Sequence, residues 1–335
     1  MLVVSLGESK YRAGQLFRWL YHERATNINS MSNISKTFRE LLADNARILQ
    51  LKELASVSSK IDGTTKVLFE LEDGERIEAV VLPARGSLTA CISSQVGCKM
   101  GCRFCATARI GYKRNLHTAE ILEQLRQLEV LARAKFNGNL TNIVFMGMGE
   151  PLDNYNNVLK AINIMLDDNG YGYSHRRITL SSAGLAPKIK LMLDDGCNVN
   201  LAVSINAPDD DTRRAIMPIN NKYNLAELME TLKGLDLQRR KRITIEYVML
   251  GGLNDTAEHA RSLMTLLRGL PVKINLIRYN GGGDANLKPP KEEDVLAFQS
   301  ILTSHKYTTF IRKSLGADIF GACGQLAAGY YANTR

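Results

Sequence analysis

No stretch of this chain stays apolar over the ~20 residues that a membrane-spanning helix needs, which excludes a helical membrane protein. Met1 to Ser5 carry no basic region followed by a long apolar run, so no secretory signal is expected. Cysteine is scarce, with six in 335 residues. That number excludes the disulfide framework of a small secreted domain, and closely spaced free thiols suit a reducing cytoplasm. No internal repeat and no low-complexity segment interrupts the chain, so solenoids and compositionally biased tracts are excluded as well.

What is present is ordinary globular material, 45% hydrophobic and 23% charged, with ample substance for a core. The length suggests two or three domains, or one large domain with an extension. A net charge of +9 and an isoelectric point near 9.2 suit a polyanionic partner, either nucleic acid or a membrane surface. The plainer alternative is a solubilising surface excess.

Half of the cysteines fall in Cys98-Lys-Met-Gly-Cys102-Arg-Phe-Cys105, at spacing Cys-x3-Cys-x2-Cys. Thiolates this close bind soft metals or iron–sulfur clusters. Three thiolates on a 4Fe–4S cubane would leave one iron open to a substrate or cofactor. A structural zinc site is the alternative, but it wants four ligands, and no second Cys-x2-Cys knuckle exists; only His117 lies near enough in sequence to serve. The spacing resembles the signature of radical S-adenosylmethionine (SAM) enzymes. In those the open iron chelates SAM, and SAM cleavage yields a 5′-deoxyadenosyl radical.

Around this motif the texture changes along the chain. Residues 10–50 read as helical and basic, with Asn33 and Ser35 as candidate caps for a second helix, Lys36 to Ala46. Thr65–Leu71 and Arg76–Leu82 read as a hairpin across Glu72-Asp73-Gly74, and Leu88–Ser94 as a strand feeding the cysteines. Thr118 is a candidate cap for a helix striped by Ile121, Leu122, Leu125, Leu128 and Leu131. Strands are then expected at Asn142–Met148, Arg177–Ser181, Asn200–Ser204, Arg242–Leu250, Val272–Arg278 and Thr308–Arg312. Helices are expected at Tyr155–Leu166, Leu225–Leu235, Thr256–Leu267 and Glu292–Ser304. Such alternation predicts an α/β fold, a partial (βα)6-type barrel of six or seven parallel strands, preceded by a small helical domain and a β-hairpin extension. Ligands on a loop after a strand's C-terminal end fit the active face of such a barrel. Gly281-Gly282-Gly283 reads as a flexible break suited to a mobile active-site loop. Cys197, between a helix and a strand, is taken as structural.

Two further motifs stand out. Gly147-Met-Gly149-Glu150-Pro151 follows an apolar strand, where glycines let the backbone approach a ligand and a carboxylate can hold an ammonium. It is similar to the Gly-Gly-Glu-Pro element that holds the SAM amino group in radical SAM enzymes. Cys323 sits among small residues in Gly321-Ala-Cys-Gly-Gln325, which argues for the close approach of another group.

Taken in order, Cys91-Ile-Ser-Ser-Gln-Val-Gly-Cys98, the two following cysteines, Phe145-Met-Gly-Met-Gly-Glu-Pro151 and Ala322-Cys-Gly-Gln-Leu326 resemble the RlmN/Cfr family. These are radical SAM adenine methyltransferases that act on 23S ribosomal RNA. Arg12-Ala-Gly-Gln-Leu-Phe-Arg-Trp-Leu20 is similar to the family's N-terminal module, and Arg214–Asn220, Ile245–Leu250 and Lys273–Ile277 are similar to its core.

The resemblance implies roles residue by residue. Cys98, Cys102 and Cys105 would hold the 4Fe–4S cluster. Gly149, Glu150, Ser181, Ser204, Ile205, Asn206 and Asn280 would contact SAM, of which two are used per turnover. Cys323 would carry the methyl group, Cys91 would resolve the protein–RNA adduct through a transient disulfide with Cys323, and Glu78 would accept the ring proton. Three domains follow: 1–50, helical and RNA-contacting; 51–86, a β-hairpin linker; and 87–335, the radical SAM core barrel. The implied enzyme is a cytoplasmic monomer, fed electrons by a donor such as flavodoxin, that methylates carbon 2 of an adenosine in 23S rRNA, with tRNA as a second candidate substrate. Methylation of carbon 8, as Cfr performs, is the rival with the same mechanism. A non-catalytic zinc protein that binds RNA, and a radical SAM enzyme acting on protein or a small molecule, are rivals of other classes. Three departures from the family pattern lie near the expected site: Asn206 in place of the usual His, Phe320-Gly321 before Ala322-Cys323, and no proline-rich continuation after Asn280.

Overall fold

The computed structural model describes residues 2–84, 86–237 and 241–326. Residues 238–240 and 327–335 of the expected core lie outside the described residues. Three short helices open the chain: α1 (Leu2–Ser5), α2 (Tyr11–Tyr21) and α3 (Lys36–Asn45). Ser35 caps α3 by accepting from the Phe38 amide, as a residue with a short side-chain oxygen should. Asn33 does not cap; its side chain accepts from the Trp19 indole at 2.6 Å. Val3, Ala25, Met31, Ile34, Phe38 and Leu42 form a small core of their own, separate from the main one.

Next come β1 (Lys52–Ser58), β2 (Thr65–Glu70), β3 (Arg76–Ala84) and β4 (Ser87–Cys91), joined antiparallel in that order. β1 is an edge strand with nearly all its residues exposed, so it carries no hydrophobic alternation to announce it. The expected hairpin is thus three strands, and it continues into the barrel because β3 pairs with β4 from Val80–Cys91 to Ala84–Ser87. β5 (Gln95–Val96), α4 (Ala106–Ile110) and β6 (Arg114–Asn115) frame the cysteine loop, and α5 (Thr118–Phe136) follows. Thr118 is the first residue of α5, not its cap: His117 takes that place, its amide donating to Glu120 at 2.7 Å.

The remaining elements are β7 (Asn142–Phe145), α6 (Tyr155–Leu166), β8 (Ile178–Ser182), α7 (Ala186–Asp194), β9 (Asn200–Ser204), α8 (Asp210–Ile216), α9 (Leu225–Lys233), β10 (Ile243–Met249), α10 (Ala257–Leu266), β11 (Val272–Arg278), α11 (Glu292–Ser304) and β12 (Thr308–Arg312). Among the described residues, β4 and β7 to β12 run parallel, so the barrel has seven parallel strands within a ten-stranded sheet.

Parallel strands covered by helices are buried on both faces, and β10 is buried at six of its seven positions. Alternation still sorts its residues: Ile243, Ile245, Tyr247 and Met249 take one face, with Tyr247 5.2 Å from Phe298 of α11. Thr244, Glu246 and Val248 take the other and line the barrel lumen. In β11 Lys273, Asn275 and Ile277 line it likewise. Polar residues at every second position of an otherwise apolar strand therefore mark the lumen. Among the described residues no helix is long and apolar enough to cross a membrane.

Candidate active site

The lumen holds a cavity of about 440 Å³. Its wall takes residues from every parallel strand, from the cysteine loop and from the chain after β12. Cys98, Cys102, Cys105, Cys91 and Cys323 all line it, as do Gly149, Glu150, Ser181, Ser204 and Asn280. Glu78, Ile205 and Asn206 stand behind that wall.

The cysteine loop is caged from three sides. Arg103 donates its amide to the Ile216 carbonyl, and Asp284 donates back to the Arg103 carbonyl at 2.7 Å. The Arg103 guanidinium also pairs with the Asp284 carboxylate. Ala106 N–H meets the Gly324 carbonyl at 2.7 Å, which ties the loop to the segment of Cys323. Gly283 lies so near Arg103 that a Cβ would stand 2.3 Å from its carbonyl oxygen. Gly283 is therefore not free to hinge: it is pinned by the Tyr279 hydroxyl and against the cysteine loop, and its lack of a side chain serves close packing, whereas Gly281 has open space about it.

Burial pushes the Cys98 thiol up to about 12, with Cys105, Glu150 and Asp153 adding negative charge nearby. Burial raises Cys102 further, and the Cys105 and Cys98 sulfurs raise it more. Groups that disfavour one another's charge ask for a cation among them. No three His, Cys, Asp or Glu side chains among the described residues converge tightly enough to hold a single metal ion. The three thiols line one cavity, a donor set suited to an iron–sulfur cluster. His117 holds the N-cap position of α5 through its backbone amide and does not line the cavity.

Gly147 and Gly149 serve protein packing first. A Cβ at Gly147 would lie 2.6 Å from the Ile92 carbonyl, and one at Gly149 would lie 2.5 Å from the Gln95 side chain. They let the loop after β7 lie flat on the chain leading to Cys98. Glu150 accepts from the Leu152 amide at 3.2 Å and the Ala183 amide at 2.7 Å. Its burial raises the carboxyl to about 7, against the lowering effect of these hydrogen bonds. A carboxylate aimed into a cavity beside Ser181 and Ser204 is a donor set for an ammonium and a ribose.

Asn206 adopts a left-handed conformation, φ 58°. Its side-chain oxygen accepts from the Val248 amide at 2.7 Å, and its backbone carbonyl accepts from Asn254. Asn206 thus ties β9 to β10, and Ile205 is fully buried beside it. The Asn280 carbonyl accepts from Gln325 at 2.8 Å, linking the end of β11 to the segment of Cys323.

Cys91 lies on β4 directly opposite Val80 of β3, and Glu78 is the next residue of β3 on that face. Burial drives Cys91 up to about 12, and the nearby Cys323 sulfur raises it further. Cys323 is also raised to about 12 by burial, with Glu246 adding to it. Its exposed surface opens into the cavity. Cys91 and Cys323 thus face one space with Cys98, Cys102 and Cys105.

Arg213 escaped the sequence reading. It is fully buried and donates to the Ile205, Ala183 and Ser204 carbonyls and to Asn220. One guanidinium gathers the ends of β8 and β9, where Ser204 and the Ala183 partner of Glu150 lie. Adjacent Arg213-Arg214 on a short helix reads as a solvated charge pair, so nothing in the pattern marks it. Glu246 and Asn275, joined at 2.9 Å in the lumen, were equally silent, although polar residues in β10 and β11 were the available signal.

A partial parallel barrel with three thiols at its C-terminal mouth is the architecture of a radical SAM protein. Residues 92–265 match the model of the radical SAM superfamily, and residues 1–48 match that of the ribosomal RNA large subunit methyltransferase N-terminal domain. The chain is similar to the dual-specificity RNA methyltransferase RlmN of Syntrophus aciditrophicus, 47% identical over 97% of this chain and 92% of that protein. The RlmN of Geobacter sulfurreducens is 46% identical over 96% of this chain and 87% of its own. The crystal structure of a radical SAM methyltransferase from Sphaerobacter thermophilus superposes with a TM-score of 0.91 at 37% identity, over 97% of this chain and 95% of that one. This chain belongs to the RlmN family of radical SAM RNA methyltransferases. Membership implies SAM and a 4Fe–4S cluster as its cofactors.

Proposed function

We propose that this enzyme methylates carbon 2 of an adenosine in 23S rRNA, with tRNA as a second substrate, through a methyl group carried on Cys323. The observation that carries this reading is that Cys91 and Cys323 open into one cavity with Cys98, Cys102 and Cys105. Relatives named as dual-specificity RNA methyltransferases support two RNA substrates. The net charge of +9 supports an RNA partner.

Cys98, Cys102 and Cys105 hold the cluster, and Glu150, Gly149, Ser181, Ser204, Ile205, Asn206 and Asn280 form the SAM site. When bound, the cluster and two molecules of SAM per turnover supply the methyl group and the 5′-deoxyadenosyl radical. Carbon 2 of adenine is electrophilic, so a polar methyl transfer fails there, and a methylene tethered to Cys323 reaches it as a radical. Glu78 takes the ring proton from the radical adduct, whose unpaired electron would pass to a one-electron acceptor, the oxidised cluster, as the ring regains its closed shell. The Cys91 thiolate then attacks the Cys323 sulfur. A sulfur–sulfur bond forms, the carbon–sulfur bond breaks with its electron pair on the methylene carbon, and that carbon takes a proton to become methyl. Burial raises both thiols, so each needs a base or a nearby cation to react as a thiolate.

Residues 1–50 form the RNA-contacting domain, 51–86 the linker and 87–335 the core in this reading. The enzyme works as a cytoplasmic monomer with a flavodoxin-type electron donor. Mass spectrometry of RNA digested after reaction with the reconstituted enzyme tests the proposal: 2-methyladenosine is expected. 8-Methyladenosine would move the chemistry to carbon 8, and unmodified RNA would reject the reading. In Cys91→Ala a covalent RNA–protein adduct should accumulate.

A further inference from the structure

The segment that carries Cys323 is docked onto the start of β2 at every second residue. Asp62 accepts from the Gly316 amide at 2.9 Å. Thr64 packs where a Cβ on Gly316 would stand, 2.6 Å from its methyl carbon. Lys66 then donates to the carbonyl of Phe320 at 3.2 Å, three residues before Cys323. On its other side the Lys66 ammonium lies 3.0 Å from the Glu78 carboxylate.

Strand register explains this reach. Lys66 stands directly opposite Val80, and Cys91 stands opposite Val80 on its other flank. Residues paired across strands share a face, so Lys66 and Cys91 flank β3 and Glu78 lies one step along on the same face. Leu82, the following residue of that face, lines the cavity. Lys66 and Glu78 are 9% and 2% exposed at their side chains, so water screens the pair little. An ammonium is rarely buried unless paired, and this one is shared between a carboxylate and a carbonyl 254 residues away.

We infer that Lys66 is a positioning residue for the proton-transfer step, fixing the Glu78 carboxylate in place and tying it to the loop of Cys323. The inference rests on the reading of Glu78 as proton acceptor. A charge-assisted contact on one side of the ammonium and a carbonyl on the other fix where the carboxylate oxygens lie. In the step itself the proton on carbon 2 of the adduct passes to a Glu78 oxygen. The electron pair of the carbon–hydrogen bond stays with the ring, and the unpaired electron of the radical adduct would leave to a one-electron acceptor, the oxidised cluster, so that the ring regains a closed shell. Lys66 takes no part in the transfer; it holds the acceptor oxygens in place. Its second bond, to Phe320, makes one side chain set both the acceptor and the strand of chain that presents the adduct.

The test uses the reconstituted holoenzyme with Lys66→Met, Lys66→Gln, Lys66→Arg and Glu78→Gln, on an RNA fragment that the wild type methylates. Intact mass reads methylation of Cys323, denaturing gels read RNA-linked protein, and initial rates are taken against pH and RNA concentration. Lys66→Met and Lys66→Gln should methylate Cys323 at the wild-type extent and link to RNA. They should then resolve the adduct about 100-fold more slowly, the scale of a compromised general base, with the KM for RNA nearly unchanged. The shape of the rate profile against pH should be unchanged, and Lys66→Arg should restore most of the rate. Wild-type resolution in Lys66→Met, or loss of Cys323 methylation and iron in both Met and Gln variants, overturns the inference. If Glu78→Gln resolves the adduct normally, the reading of Glu78 fails. If Glu78→Gln stalls and Lys66→Met does not, only the role of Lys66 fails.

Discussion

At the mouth of the barrel, backbones touch: Cβ atoms at Gly147, Gly149 and Gly283 would lie 2.6, 2.5 and 2.3 Å from their nearest neighbours. The N-terminal module is built otherwise. Six residues close its core, no residue of α2 is buried, and it meets the barrel through Phe17 and Tyr21, which pack against the main core, and through Arg24, whose guanidinium grips Glu129 and lies 3.7 Å over the Tyr171 ring. The mouth is closed by chain packed on chain with no room for a methyl; the module has a small core of its own and meets the barrel through side chains.

Breaking the two regions should therefore give different defects. Arg213→Met should do the most damage, since it leaves the Ile205, Ala183 and Ser204 carbonyls without their shared donor. A loss of about 3–5 kcal/mol is expected from a broken buried network of this kind, read as a large fall in the denaturant midpoint, with SAM affinity lost as well. Gly147→Ala should come next, at about 1–3 kcal/mol for a methyl forced against the Ile92 carbonyl, with poorer cluster loading measured as iron per chain.

A pH series separates the regions more gently. Glu150 has its carboxyl raised to about 7 by burial, so its charged form is present above that value and lost as pH falls through it. If the carboxylate holds the SAM ammonium, SAM affinity should fall toward about tenfold per unit below pH 7, measured by equilibrium dialysis. RNA affinity should not follow that curve. The smallest effect is expected at the tether: Arg24→Met should raise the KM for RNA a few-fold, in line with about 1 kcal/mol for a partly buried ion pair, and leave RNA-independent methylation of Cys323 unchanged. Equal loss of both activities in Arg24→Met would erase the distinction between the regions.

The legible parts of the sequence were those with a strong period or a dense motif. The strands Asn200–Ser204, Val272–Arg278 and Thr308–Arg312 lie where alternation with helices placed them, with the same bounds. The thiols of Cys98, Cys102 and Cys105 reach the lumen as their spacing suggested. What stayed hidden depends on partners far away in the chain. α7 and α8 have only nine and seven residues, too few turns to impose a clear stripe. Gly147, Gly149 and Gly283 suggest room for a ligand or for movement in the sequence, whereas in the fold they make room for neighbouring chain. Lys66 was one lysine in a strand until the register set Glu78 beside it and the chain after β12 brought Phe320 across. No local pattern records a contact between residues 254 positions apart.

Anaerobic iron and sulfide analysis with a visible spectrum, on the wild type and Cys102→Ala, tests the central claim most directly. About four irons and four sulfides per chain, lost in Cys102→Ala, are predicted for a cubane held by this mouth. Zinc without iron in the wild type would leave the barrel standing and contradict the radical chemistry.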